Sequence, residues 1–248
     1  MSCYQVNPTD SQDTKAATFS RVLLEQPMFD NALPSSECWL SGPVASKDTD
    51  IDTLILLAHG AGANMAHPFM ADLAAGLSAT GMSVVRFNFP YMRNNAIDGK
   101  RRPPDRAPKL LNDFKLHIEA IRKLYRPRQL ILMGKSMGGR MAAMVSSEVA
   151  VDAVICLGYP FVPPKGGDPR LEPIALCPAP LLVIQGERDK FGAKGQVEPW
   201  LAPYSAQLLW LSDGDHSFAP RKSSGTTQAA NLQQAISYSV SFIRGLHA

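Results

Sequence analysis

From residue 53 onward, short apolar runs alternate with longer stretches whose apolar residues recur every three or four positions. The run TLILLA at 53–58 is apolar without a break, as a strand buried on both faces requires. Residues 68–78 then place Phe69, Met70, Leu73, Ala74 and Leu77 at helical spacing. Gly81 stops that helix, and SVVRF at 83–87 reads as the next strand. A helix at 108–125 follows, with Leu110, Phe114, Ile118, Ile121 and Tyr125 on one face. Next come a strand at 129–133 and a helix at 137–147 with Met137, Met141, Met144 and Val145 turned inward. Strands at 153–157 and 180–185, a short helix at 197–204 and a strand at 206–211 lead to a final helix at 226–246, apolar at Leu232, Ile236, Val240 and Ile243. Two more strand-like stretches, 18–24 and 38–44, precede the rhythm. Strands alternating with helices in this way predict an α/β domain, a mostly parallel sheet with helices on both faces. The pattern runs unbroken to the end, so a single domain is expected over 18–248 behind a flexible polar segment at 1–17.

Composition removes several function classes. A net charge of +3 spread over 248 residues falls short of a nucleic-acid footprint, and 45% hydrophobic residues with so little net charge is not the composition of a disordered chain. No apolar run approaches the ~18 residues of a membrane span. The opening MSCYQVNPTDSQDTK lacks the apolar core of a secretory signal, and Cys3, Cys38, Cys156 and Cys177 lie far apart with no C-x-x-C spacing. A reducing cytoplasmic location is therefore expected. His67, His117 and His247 do not pair with other ligand types at metal spacing, so neither a metal nor an organic cofactor is expected.

In an open α/β sheet, ligands bind beyond the carboxyl ends of the strands, so chemistry is sought in the segments that follow them. Gly134-Lys135-Ser136-Met137-Gly138-Gly139 stands between the strand QLILM and an amphipathic helix. A bare G-x-S-x-G is weak evidence, but strand–turn–helix is the context the motif needs. There the serine sits on a strained turn and its neighbours must lack side chains. The turn raises the Ser136 hydroxyl at a helix N-terminus, whose dipole favours a developing anion. Partners follow in the order acid, then histidine. Gly186-Glu187-Arg188-Asp189 succeeds the strand PLLVIQ, and Asp213-Gly214-Asp215-His216 succeeds AQLLWL. His216 is the candidate base and Asp189 the favoured acid that fixes its tautomer, with Glu187, Asp213 and Asp215 as competitors for that role. Finally, His59-Gly60-Ala61-Gly62 succeeds TLILLA. An N–H from Ala61, or secondarily Gly62, is expected to join that of Met137 as an oxyanion hole, with His59 hydrogen-bonding the loop.

With LILLAHGAG, SVVRFNFPY, LILMGKSMGGR and LLVIQGERD, the chain resembles α/β-hydrolase-fold serine hydrolases over essentially its whole length. Within that superfamily it is similar to small dienelactone-hydrolase-like proteins, a group related to the hydrolase-like domain of proteins in a histone acetyltransferase complex. The resemblance implies Ser136, Asp189 and His216 as a catalytic triad and Ala61 with Met137 as the oxyanion hole. It departs from dienelactone hydrolases proper in having a serine where they use cysteine, so their lactone substrate is not carried over. The alanine in HGAG, where many esterases have a third glycine, implies a different acyl pocket.

The function expected is cleavage of a small-molecule carboxylic ester or thioester through an acyl-enzyme on Ser136. A non-catalytic interaction module on the same fold is the alternative. Residues 158–179 are too few to hold the large cap often inserted there, so no cap domain is expected. Tyr159 and Phe161, and Gly62 on the other loop, are candidate linings of a substrate pocket, and anchoring of the backbone is the competing role for the two aromatics. Residues 88–107, with Lys100, Arg101, Arg102 and Arg106, read as a solvated mobile loop, and Lys135 as an outward-pointing lysine.

Overall fold

A computed structural model describes residues 5–6, 19–25, 35–43 and 51–247. The chain divides between residues 130 and 131 into two compact units. The segment 1–17, apart from Gln5–Val6, lies outside the described residues, as do the expected strand ends at Thr18 and Val44.

The first unit contains β1 (Gln5–Val6), β2 (Phe19–Glu25), β3 (Ser35–Ser41), β4 (Thr53–Ala58), α1 (Pro68–Ser78), β5 (Ser83–Phe87), α2 (Pro90–Asp98) and α3 (Ala107–Tyr125). Its strands lie in the order β1-β2-β3-β5-β4. Pairing is antiparallel as far as β5 and parallel between β5 and β4, with Leu56 opposite Val85. β4 and β5 bury nearly every residue, which explains their unbroken apolar sequences. The segment 88–107 departs from the mobile loop expected of it, because nine of its residues form α2. Arg93 on that helix reaches back to α3, where its guanidinium donates to both oxygens of Asp113 at 2.7 and 3.2 Å. This pair is almost fully buried. Lys100, Arg101 and Arg106 remain exposed beyond it.

The second unit contains β6 (Gln129–Lys135, which starts at the boundary), α4 (Met137–Val145), β7 (Ala153–Leu157), α5 (Glu172–Ala175), β8 (Leu181–Gly186), α6 (Lys194–Leu201), β9 (Gln207–Leu211) and α7 (Gln228–Arg244). Here the strands run β6-β7-β8-β9 and every pair is parallel. All of β7 and β8 is buried, whereas β9, at the edge, is mostly half-exposed. Parallel pairing puts the carboxyl ends of β6, β8 and β9 on one side of this layer, where Ser136, Asp189 and His216 follow them in sequence. A single four-residue helix, α5, is the only regular element between β7 and β8, so that connection holds no cap. Among the described residues, no helix is long and apolar enough to cross a membrane.

Two imidazoles in the first unit are buried as neutral groups. His59 Nδ1 lies 2.7 Å from the Gly60 carbonyl and Nε2 accepts the Phe89 N–H at 3.0 Å, so its proton sits on Nδ1. His117 Nδ1 lies 2.8 Å from the Asp113 carbonyl, and its ring packs 4.2 Å from that of Phe87. Burial pushes both rings from an ordinary value of 6.5 down to about 4. Unfolding releases them to bind protons at their ordinary value. Stability is therefore undiminished above about pH 6.5 and falls as pH drops through the window from 6.5 to 4. Urea denaturation at pH 7 and pH 5 is expected to show that loss, at about 1 kcal/mol per pH unit for each ring. His117→Gln is expected to remove about half of the dependence, and an equal slope in that variant would refute the assignment.

Candidate active site

Ser136 occupies the single residue between β6 and α4, with φ 52° and ψ −114°. A non-glycine residue there carries strain of order 1–3 kcal/mol. The surrounding backbone holds it: the Ser136 N–H donates to the Leu157 carbonyl at 2.9 Å, and its own carbonyl accepts the Arg140 N–H at 3.1 Å. The glycines explain why the turn can close. A Cβ on Gly134 would lie 2.2–2.5 Å from backbone atoms of Gly138 and Gly139, and one on Gly139 would lie 2.7 Å from the Gly134 carbonyl oxygen. Strand and helix touch backbone to backbone. Met137 opens α4, and its N–H belongs to the first turn, where no intrahelical acceptor exists.

Asp189 and His216 meet this serine. Asp189 has no exposed surface, and its carboxylate accepts from three donors: Gln185 Nε2 at 2.9 Å, the Phe191 N–H at 2.9 Å and His216 Nδ1 at 2.8 Å. A buried carboxylate requires such donors to offset its lost hydration. With Nδ1–H donated to Asp189, Nε2 is left as an acceptor 2.9 Å from Ser136 Oγ. The edge of the His216 ring rests against Phe191, centroids 4.6 Å apart. The imidazole side chain is 22% exposed, so it is the partner that solvent can reach.

The acids that competed with Asp189 are engaged elsewhere. Glu187 accepts the Asp213 N–H at 3.0 Å and pairs with Lys194 at 3.1 Å. Asp213 accepts from Arg221, which holds its carboxyl at about 2, well below the usual carboxylate range. Asp215 caps the turn after it through the N–H groups of Ser217 and Ala219, at 2.7 and 3.0 Å. Together these contacts stitch the segment after β8 to the one after β9, helped by Arg188 Nε donating to the Asp213 carbonyl at 3.0 Å.

The sequence reading missed the residues that seat these segments. Gly186 is one: a Cβ there would lie 2.4 Å from the Gly214 carbonyl oxygen and 2.5 Å from that of Asp215, so only glycine lets the histidine segment settle onto the end of β8. Asn231, buried in α7, is another. Its amide donates to the Ser212 carbonyl at 3.1 Å and the Phe218 carbonyl at 2.9 Å, clamping both ends of that segment. The polar residue ending the apolar run PLLVIQ, Gln185, was the visible signal for a third; Phe191 had none.

One expectation is overturned. Lys135 does not point outward: its ammonium is buried 5.6 Å from the centroid of the Phe218 ring. A residue ending a strand beside a tight turn has its neighbours on the next strand's connection above it, which a linear pattern does not reveal. Tyr159 and Phe161 have no exposed surface. The Tyr159 hydroxyl donates to the Arg170 carbonyl at 2.9 Å and the two rings pack 4.8 Å apart, an arrangement that anchors the chain after β7. In the first unit, Ala61 and Gly62 lie exposed on the turn after β4. There the Tyr91 hydroxyl donates to the Ala61 carbonyl at 3.0 Å, and buried His59 ties the turn to Phe89.

Comparison with known proteins gives a consistent picture. The model of a family described as an alpha/beta hydrolase domain matches residues 51–244. A serine hydrolase without a lid from Xanthomonas campestris superposes with a TM-score of 0.66 at 20% identity, covering 98% of this chain and 99% of that one. Dienelactone hydrolase from Anabaena variabilis gives 0.68 at 17% identity, over 92% and 99%. An alpha-beta serine hydrolase homologue from Coxiella burnetii gives 0.64 at 18% identity, over 91% and 96%. At these identities the likeness is one of fold.

The contact between Gly134 and the Gly138–Gly139 backbone supports a measurable expectation. Gly134→Ala is expected to cost about 3 kcal/mol or more, a fall in Tm of roughly 6–12 °C for a chain of this size. Gly195→Ala, where an added Cβ meets nothing within 4 Å, serves as the control. Equal melting of the two variants would show that the turn is not closed by that contact.

Proposed function

The chain belongs to the alpha/beta hydrolase family, and from that premise we propose that it is a serine hydrolase cleaving a carboxylic ester or thioester through an acyl-enzyme. The observation that carries this reading is the continuous hydrogen-bond chain from Ser136 Oγ to His216 Nε2, and from His216 Nδ1 to Asp189, at 2.9 and 2.8 Å. A serine hydroxyl is a weak nucleophile until a base takes its proton. In the proposed reaction Nε2 takes it as Oγ bonds to the acyl carbon, and the carbonyl oxygen becomes an oxyanion. The N–H of Met137, at the positive end of α4, is a donor for that oxyanion. Collapse of the tetrahedral intermediate breaks the bond to the alcohol or thiol, which leaves with the proton held on Nε2. A water, deprotonated by the same nitrogen, then attacks the acyl carbon and releases the acid and Ser136.

Asp189 does not need to accept a proton in this scheme. It holds the Nδ1–H tautomer and stabilises the imidazolium formed in each half-reaction. The serine-hydrolase relatives above support the same reaction class. The connection between β7 and β8, with only α5 in it, suits short or unhindered acyl groups.

Intact-mass measurement after treatment with a fluorophosphonate tests the reading. The wild-type protein is expected to gain one adduct, and Ser136→Ala none. Turnover of p-nitrophenyl acetate is expected to fall by about 10³-fold or more in Ser136→Ala and His216→Ala, and by a comparable factor in Asp189→Asn. Glu187→Gln and Asp213→Asn are expected to stay within a few-fold of wild type. A wild-type protein that forms no adduct, under conditions that label a known serine esterase, would instead point to a non-catalytic interaction module.

A further inference from the structure

Three side chains perform the proposed reaction, and a fourth ionisable group is buried among them. Lys135 is the last residue of β6, directly before Ser136. Its ammonium lies against Gly158 at the end of β7, a glycine at φ 61°. A Cβ placed on Gly158 would stand 2.7 Å from Lys135 Nζ, 3.2 Å from the His216 carbonyl oxygen and 3.5 Å from Asp189 Oδ2. One small volume, open only because residue 158 has no side chain, is thus bordered by the ammonium, the backbone of the base and the carboxylate of the acid. Phe218, from the far end of the histidine segment, presents its ring to the same ammonium. The charged groups acting on Lys135 are Asp189, from the segment after β8, and Asp215, from the segment after β9, with His216 beside them. Burial lowers Lys135 from its ordinary value to about 8, and those two carboxylates oppose the fall.

We infer that Lys135 is a positioning residue for this site: its ammonium is the counter-charge of buried Asp189, and it sets the proton affinity of His216 through that carboxylate. The inference rests on reading Ser136, His216 and Asp189 as the catalytic set. A fully buried carboxylate beside an imidazole strengthens the imidazole's hold on a second proton. A cation on the other side of the carboxylate weakens that hold. With Lys135 charged, Nε2 is free to accept the Ser136 proton at lower pH than it would be otherwise. Lys135 touches no reacting atom in this scheme and acts only through Asp189 and His216.

The test compares wild type, Lys135→Met and Lys135→Arg by the rate of fluorophosphonate adduct formation on Ser136, followed by intact mass between pH 5 and 9. The rising limb of the Lys135→Met profile is expected about one pH unit above that of wild type, so that its rate at pH 6 is roughly tenfold lower, with the high-pH plateau kept within a few-fold. Lys135→Arg is expected to restore the wild-type limb, which a purely packing role for the side chain would not do. Coincident limbs for Lys135→Met and wild type would overturn the lysine's role and leave the triad standing. A wild-type protein that forms no adduct at any pH would reject the serine-hydrolase reading and this inference with it. Should the variants not fold, the wild-type protein supplies the readout. The downfield proton shared by His216 Nδ1 and Asp189 is expected to change chemical shift with an inflection near pH 8, as the neighbouring ammonium titrates. A resonance that stays flat across the whole range in which a lysine ammonium can lose its proton, roughly pH 7 to 11, would overturn the proposal.

Discussion

A serine backbone at φ 52° persists only where its surroundings leave it no easier conformation, and here the surroundings are glycine backbone. Gly134 and Gly139 let β6 and α4 approach until an added carbon on either would overlap main-chain atoms. That approach sets Ser136 between the end of β6 and the N-terminus of α4. Everything else in the candidate site is arranged around this one fixed hydroxyl. Asp189 and His216 have to come to it, and the structure shows the means. Gly186 removes the steric barrier between the two segments, and Asn231 closes the histidine segment from α7.

These supports differ in strength according to their burial. The ion pairs of Asp213 with Arg188 and Arg221 involve exposed guanidiniums, whose attraction solvent screens, so they add little. The hydrogen bonds from Gln185 and Phe191 to Asp189 lie out of water, where losing a partner would strand a charged acceptor. The register of the acid therefore rests on its buried donors, and the surface charges trim the segments that carry it.

Much of this was legible in the residue order. The strands at 83–87 and 153–157 and the helix at 68–78 have the bounds that their apolar spacing predicts. Ser136, Asp189 and His216 could be picked out because each follows a strand, and parallel strands send their ends to one side. The misses share a cause, since each depends on a neighbour distant in sequence. The helix Pro90–Asp98 has little apolar periodicity to betray it, and part of what pins it is the pairing of Arg93 with an aspartate twenty residues on. Lys135 looked like an exposed charge because nothing near it in sequence shows that the segments after β7, β8 and β9 close over it. For Tyr159 and Phe161, which follow a strand end, the residue order left pocket lining and anchoring both open, and their buried packing favours the anchor.

The bond between Ser136 and His216 joins positions 80 apart in the chain, and the last clamp on the histidine comes from α7. During synthesis Ser136 leaves the ribosome far ahead of His216. Long-range contacts of this kind form late in folding, after the loop entropy between them has been overcome. A nascent chain can thus complete the glycine turn and still lack the hydrogen-bond chain from Ser136 through His216 to Asp189, which closes only when its final strand and helix dock.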